Sequence, residues 1–132
     1  MRAYKLSMFL TMTYMLSTPG LADKIPEADR TALHVTMTQF IDRQVIDGMY
    51  IKIDLASGNI ERFSPAKSHP MVVKMGENFV LCTDFKNELG EASNVDFYVT
   101  RRGKSFAIFQ TEINNRQPLM KLMEAGKAAM ID

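Results

Sequence analysis

Cysteine is nearly absent from this sequence, since Cys82 is the only one among 132 residues. A single cysteine cannot form an internal disulfide, so in an oxidising compartment the domain must be held together by its hydrophobic core alone. We expect Cys82 to be buried, because a free cysteine packs as a small apolar residue. The alternative is an accessible thiol that forms an intermolecular disulfide.

An excess of charge of either sign is also missing. The chain has 16 basic and 15 acidic residues, which gives a formal net charge of +1. This balance provides no electrostatic reason to expect nucleic acid as a partner. At 46% hydrophobic and 23% charged residues, the composition excludes a disordered tail and is typical of one small globular domain.

The N-terminal segment has the pattern of a secretory signal peptide. Arg2 and Lys5 form a basic start, and residues 6–16 are uncharged but too few for a membrane-spanning helix of about 20 residues. Gly20 and Ala22 are small residues at the −3 and −1 positions of a cut before Asp23. We therefore predict a signal peptide over residues 1–22, cleavage after Ala22, and a periplasmic or secreted single domain over residues 23–132. The mature chain would have no stable membrane span, whereas an uncleaved anchor is the alternative.

Two helices are predicted from apolar residues that recur at helical spacing. The first begins near Pro26, carries an apolar stripe, and is expected to stop at Asp47-Gly48. The second begins after Asn114 or Asn115, which can cap it. Its apolar side is formed by Leu119, Leu122, Met123 and Met130.

Between the helices the apolar residues alternate, which predicts strands. In the first strand Met49, Ile51, Ile53 and Leu55 alternate with Tyr50, Lys52 and Asp54. Residues 64–70 contain two prolines and are predicted to form a loop. Six strands are predicted, over residues 49–55, 60–63, 71–75, 79–85, 95–100 and 105–113.

This order of elements predicts an α+β fold with an antiparallel meander, because no connection is long enough for parallel crossovers. The N-terminal and C-terminal helices are expected to cover one face of the six-stranded sheet. A strongly curled, barrel-like sheet is the alternative.

The segment from Asp54 to Ile60 resembles a hairpin phrase, D-x-x-[ST]-G-x-I, that occurs in several small secreted domains. Its logic is local, because glycine relieves the turn and the aspartate can accept hydrogen bonds from turn amides. We therefore predict that Asp54 stabilises the turn over residues 56–59.

Groups that carry chemistry are sparse, and we predict no catalytic residue, no metal site and no cofactor. Cys82, His69 and Asp84 could form a thiol site, since Cys82 and Asp84 share one side of a strand. No nucleophile motif surrounds Cys82, however. The methionines that follow residue 22 fall mostly on predicted apolar faces and are interpreted as core residues.

A binding surface is predicted from two features. Arg101, Arg102 and Lys104 lie at one hairpin tip and could hold an anionic group. The second face of the sheet is also expected to carry apolar side chains, and such a patch often marks a partner surface. Its residues are Val72, Val80, Cys82, Tyr98 and either Phe106 or Phe109.

The sequence thus favours an exported, non-catalytic binding or accessory domain that uses Arg101, Arg102, Lys104 and Tyr98. Its partner is expected to be another protein or a second copy of the chain. Two alternatives are a small-molecule-binding protein with a pocket between helices and sheet, and a thiol-dependent enzyme using Cys82.

Overall fold

The computed structural model describes residues 24–131, so the predicted signal peptide over residues 1–22 lies outside the described residues. The chain begins with one helix, continues as a meander of strands, and ends with a short helix and a short strand. The helices are Glu27–Gln44 (α1) and Gln117–Glu124 (α2). The strands are Val45–Ile46 (β1), Met49–Ile53 (β2), Ile60–Met75 (β3), Asn78–Lys86 (β4), Ala92–Arg102 (β5), Ser105–Ile113 (β6) and Ala129–Ile131 (β7).

The sheet is an antiparallel meander in the order β1-β2-β3-β4-β5-β6, with β7 paired to β3. The predicted α+β fold with six meandering strands and two helices is therefore confirmed. β1 and β6 are not paired with each other, so the sheet is open and the barrel-like alternative is wrong.

The position of the helices differs from the prediction that both cover one face. α1 packs Leu33, Met37 and Ile41 against one face of the sheet. Leu119 of α2 packs in a second cluster, whose sheet residues alternate with those of the first: Val73, Val80, Cys82 and Tyr98. Neighbouring residues in a strand point to opposite faces, so the two helices lie on opposite sides of the sheet. The physical reason is that β4 and β5 are apolar on both faces, and both faces must be removed from water.

The predicted loop over residues 64–70 is part of β3, which continues through both prolines. Pairing with β4 shifts register between Pro65 and Ser68 and again between Ser68 and Val72. Proline has extended backbone angles but no N–H to donate, so it remains in the strand while interrupting the ladder. In this irregular stretch the Thr83 hydroxyl donates to the Lys67 carbonyl at 2.9 Å.

α1 starts where predicted but ends at Gln44, before Asp47-Gly48. These two residues form the two-residue turn between β1 and β2, and both have positive φ. Such a turn matches the twist of a hairpin, which explains why this dipeptide reverses the chain and does not cap the helix.

α2 is shorter than predicted, and its N-cap is Arg116, with no capping bond from a side chain. The chain turns after Glu124, and Met130 lies in β7. β7 therefore adds a strand beside β3 where the sequence suggested a continuing helix.

The turn after β2 confirms the predicted role of Asp54. Its carboxylate accepts from the Ala56 amide at 3.0 Å and from the Ser57 hydroxyl at 2.9 Å. The Ser57 bond is the main reason why the pKa of Asp54 lies below its usual value, with the Ala56 bond second. A carboxylate that accepts these bonds is stabilised in its charged form.

Candidate functional site

The predicted binding residues do not converge on one surface. Arg101 contacts the α1 side of the molecule, where it donates to Asp29 at 2.7 Å and lies 4.7 Å from the centre of the Phe106 ring. Arg102 and Lys104 are exposed at the hairpin tip. Tyr98 is buried on the other face, within the cluster beneath α2.

The spacing of Tyr98 and Arg101 in the sequence already indicates that they lie on different faces of the sheet. Positions 98 and 101 differ by an odd number along one strand, so their side chains point to opposite faces. Burial beneath α2 raises the pKa of Tyr98, with the negative charge of Asp96 as the second cause.

The apolar second face predicted as a partner surface is largely covered. Val80, Cys82 and Tyr98 are buried beneath α2 and the segment before β7, whereas Phe109 remains exposed. Val72 and Phe106 are on the opposite side, in the core beneath α1. The prediction of free apolar surface at this place is therefore wrong, because α2 occupies it.

The candidate thiol site is partly assembled. His69 Nε2 lies 3.1 Å from Asp84 Oδ2, and Asp84 is two residues from Cys82 on the same side of β4. Cys82 itself is buried, and desolvation raises the pKa of its thiol to about 12, with the charge of Asp96 adding to the effect. The thiol therefore stays protonated at neutral pH and lacks the thiolate that a nucleophile needs.

A partly buried ion pair lies beside Cys82. Asp96 is directly opposite Cys82 in the sheet and is fully buried, whereas the Arg116 side chain is 36% exposed. Arg116 Nη2 donates to Asp96 Oδ1 at 2.7 Å, and Nε is 3.2 Å from both carboxylate oxygens. The hydrogen bond to Asp96 is the main cause that raises the pKa of Arg116. Because Arg116 is the N-cap of α2, this pair fixes the start of the helix to the sheet.

Metal ligands and membrane spans are not found in the part of the chain that the structure describes. Residues 24–131 contain no group of three or more His, Cys, Asp or Glu side chains that could hold a metal ion. No helix in the same range is long and apolar enough to cross a membrane.

A groove of about 490 Å³ runs along the outer side of α1 and ends against Pro70. His34 lies in this groove with its Nε2 3.3 Å from the Pro70 carbonyl oxygen. Arg30 donates to the same oxygen at 3.3 Å. His34 thus contacts the α1–β3 junction and is not near Cys82, since the sheet separates α1 from that thiol.

An exposed apolar surface is present on β1, β2 and the start of β3. Ile46 pairs with Met49 and Ile53 pairs with Ile60, and residues directly opposite in a sheet point to the same side. Ile51 lies between Met49 and Ile53 on that side. We call these five residues the isoleucine face: Ile46, Met49, Ile51, Ile53 and Ile60.

The isoleucines of this face are between 37% and 62% exposed. The opposite side of the same strands faces the core, where Tyr50 is paired with Phe63 and lies 5.4 Å from the ring of Phe85. The alternation predicted for β2 is thus present, but the side that faces the core is the one with Tyr50, which is half-buried, and the aliphatic side is the exposed one. Alternation alone does not reveal which side is covered, and so the sequence did not indicate this surface.

Two charges border the isoleucine face. Arg62 is directly opposite Ile51 and therefore on the same face, with its Nη1 4.0 Å from Glu88 Oε1. Beside Arg62 and Glu88, a cavity of about 220 Å³ lies between Ile60 and the loop after β4. Leu89 in this loop is exposed. The arrangement is an aliphatic centre with a charged rim, which is how protein interfaces are built.

Comparison of the chain with family models, with curated proteins and with solved structures gives no match. The surfaces of the molecule are therefore the basis on which its function is inferred.

Proposed function

We propose that the chain is a small, exported, non-catalytic binding domain and that its isoleucine face binds another protein. The observation that carries the proposal is the set of exposed isoleucines on one side of β1, β2 and β3. Scattered apolar residues are common on protein surfaces, but contiguous patches rimmed by charge mark interaction sites. Export is proposed from the signal pattern of residues 1–22.

The arrangement of the polar groups supports a binding role over a thiol reaction. Cys82 is protonated at neutral pH, and Asp96 beside it is bonded to Arg116. Asp84 is paired with His69. These groups are oriented towards one another, and their bonds hold β3, β4, β5 and α2 together.

The proposal can be tested by photo-crosslinking in cells that express the full chain. A photoreactive phenylalanine analogue replaces Ile53, which is 50% exposed, and in a control replaces Met120, which is 51% exposed on α2. We expect a discrete protein adduct at position 53, identified by mass spectrometry, and none at position 120. Equal labelling at both positions, or no protein adduct at position 53, would contradict the proposal.

A further inference from the structure

We propose that the outer edge of β6 is a second interaction surface, and that it pairs with β6 of a second copy of this chain, antiparallel across a two-fold axis. β6 lies at the opposite edge of the sheet from β1, so this contact goes beyond the proposed function and leaves the isoleucine face open. Three features of β6 point to this pairing: its unprotected edge, the spacing of its free backbone groups, and an exposed aromatic side chain.

The outer edge of β6 is open. In the part of the chain that the structure describes, β6 pairs with β5 alone. A strand edge of this kind presents a row of N–H and C=O groups whose natural complement is another extended backbone. β6 has nine residues and contains neither proline nor lysine, two residues that discourage such pairing.

The opposite side of the sheet is protected in the ways that β6 is not. There the exposed stretch of β3 contains Pro65 and Pro70, and its pairing with β4 shifts register twice. The strands beside β3, β1 and β7, have only two and three residues. Prolines, irregular pairing and short edge strands all discourage the addition of another strand. A regular, uninterrupted edge is thus found on β6, apart from one bulge.

The direction of the backbone groups in β6 follows from its pairing with β5. Arg102 and Ser105 flank a two-residue turn, so they form a hydrogen-bonded pair. At the other end the Asn114 N–H donates to the Asn94 carbonyl at 2.9 Å. Between these ends bonded and non-bonded pairs alternate, and Phe109 is the extra residue of a bulge. The residues of non-bonded pairs direct their N–H and C=O groups away from β5: Phe106, Ile108, Thr111 and Ile113.

The spacing of these outward groups matches a second β6. Successive outward residues are two, three and two positions apart, and this pattern is the same in both directions. An antiparallel copy therefore places Phe106 opposite Ile113 and Ile108 opposite Thr111, and each such pair can exchange two hydrogen bonds. A regular strand repeats every two residues and loses register at the longer middle step. The bulge thus favours a strand with the same bulge, which is β6 itself.

The side chains of β6 are compatible with this pairing. Phe109 is 54% exposed and lies 6.4 Å from the ring of Tyr98. In the pair Phe109 is opposite Gln110 of the second copy, so the two Phe109 rings become diagonal neighbours, a distance that aromatic side chains can bridge. Glu112, the only charged residue of β6, is opposite Ala107 of the second copy. No like charges therefore face each other across the two strands.

Sedimentation equilibrium of protein purified from cells expressing the full chain tests the pairing. We expect the wild-type protein to sediment with twice the mass of one chain. Thr111→Pro removes an outward N–H that makes no bond to β5, and it should weaken dimerisation by about tenfold or more. Thr111→Ala is the matched control, because it also removes the hydroxyl but keeps the N–H, and it should retain the dimer. Far-UV circular dichroism verifies that both variants keep the fold.

Hydrogen exchange of the wild-type protein tests the same contact without a substitution. The amides of Phe106, Ile108 and Thr111 should exchange about tenfold or more faster in dilute, monomeric protein than in the dimer. The amides of Ala107 and Glu112 bond to β5 and should be protected in both states.

Three results would overturn the proposal. The first is a wild-type protein that keeps the mass of a single chain at the highest soluble concentration. The second is a dimer in which the amides of Phe106, Ile108 and Thr111 exchange as fast as in the monomer. The third is a dimer that folded Thr111→Pro and Thr111→Ala affect equally. If Thr111→Pro does not fold, the exchange measurement decides. The crosslinking test at Ile53 is independent of these results, because Ile53 and β6 belong to opposite sides of the sheet.

Discussion

At the scale of single residues, the environment of Cys82 shows how position in the sheet determines chemistry. Its side chain points beneath α2 and lies opposite the carboxylate of Asp96. Burial and this negative charge both favour the neutral thiol, which explains the pKa of about 12. Cys82 is thus a packing residue whose protonation is linked to folding.

We expect this linkage to appear as a loss of stability at high pH. Below pH 9.0, the usual value, folded and unfolded chains both hold the thiol proton, so the contribution of Cys82 is fully present. Between pH 9.0 and about 12 the unfolded chain releases that proton while the folded chain keeps it. The free energy of unfolding should then fall by up to about 1.4 kcal/mol per pH unit from this group.

Urea unfolding at several pH values measures this effect by comparison with Cys82→Ala. The difference between wild type and variant removes the titration of the lysines, which is common to both proteins, and leaves the thiol together with its effect on the neighbouring Tyr98, whose pKa the charge of Cys82 helps to raise. Parallel stability curves from pH 8 to pH 12 would show that the thiol is not held neutral by the fold.

The ion pair between Asp96 and Arg116 is a second case at this scale. Asp96 is fully buried, so its charge depends on Arg116 for compensation, whereas Arg116 can still reach water. Removing Arg116 is therefore expected to lower the free energy of unfolding by more than the loss of a typical surface ion pair does.

Arg116→Met should lower the free energy of unfolding by about 2 kcal/mol, because it leaves a buried carboxylate without its partner. Lys121→Met is the control, since it removes an exposed cation from α2 and should change stability by less than about 0.5 kcal/mol. Urea unfolding at neutral pH provides both values. A loss for Arg116→Met that is no larger than for Lys121→Met would mean that Asp96 does not need the pair.

At the scale of elements, α2 acts as a cover over one face of the sheet. Leu119 and the half-buried Leu122 and Met123 pack over Val80, Cys82 and Tyr98. α2 has only eight residues, which is too short to be stable alone, so its order depends on this packing and on the Arg116 pair.

Leu119→Ala should lower the free energy of unfolding by about 2–3 kcal/mol and speed the labelling of Cys82 by a thiol reagent. The faster labelling is expected because opening of α2 is enough to expose the thiol. Met37→Ala in α1 is the control, since it weakens the core on the other face. Met37→Ala should speed the labelling of Cys82 only by the amount that its more frequent global unfolding explains. Equal labelling rates in two variants of matched stability would show that α2 does not open separately.

The elements that were predicted correctly are those whose signals are local. The turn held by Asp54 was predicted because the bonds to Ala56 and Ser57 depend on neighbours in sequence alone. The sequence does not predict the continuation of β3 through Pro65 and Pro70, because proline is compatible with both a loop and an irregular strand. Pairing with β4, a long-range contact, decides between them.

At the scale of the whole molecule, the sequence predicted the meander but not its faces. Val80 and Leu81 are both buried, and so are Phe97 and Tyr98, so neither side of the central strands is marked as the outer one. Both sides of the central strands are removed from water because the two helices cover opposite sides of the sheet. The side of β2 that remains open is the isoleucine face, and only the tertiary arrangement reveals it.

Proposed export connects this surface to the place where the chain would work. Removal of residues 1–22 takes away Arg2 and Lys5 but no acidic residue, so the net charge changes from +1 to −1. A nearly neutral domain with an aliphatic face is suited to a protein partner more than to a phosphate backbone or an anionic lipid surface.

Cleavage after Ala22 can be tested by a pair of substitutions that differ by one position. Ala22→Phe places a bulky side chain where the peptidase requires a small one and should leave the precursor uncut. Leu21→Phe places the same side chain at the neighbouring position, which has no such requirement, and should be processed like the wild type. Intact-mass measurement of chains recovered from the host should show wild-type and Leu21→Phe proteins that begin at Asp23. A wild-type chain that retains Met1, or an Ala22→Phe chain cut at the same bond, would contradict this assignment.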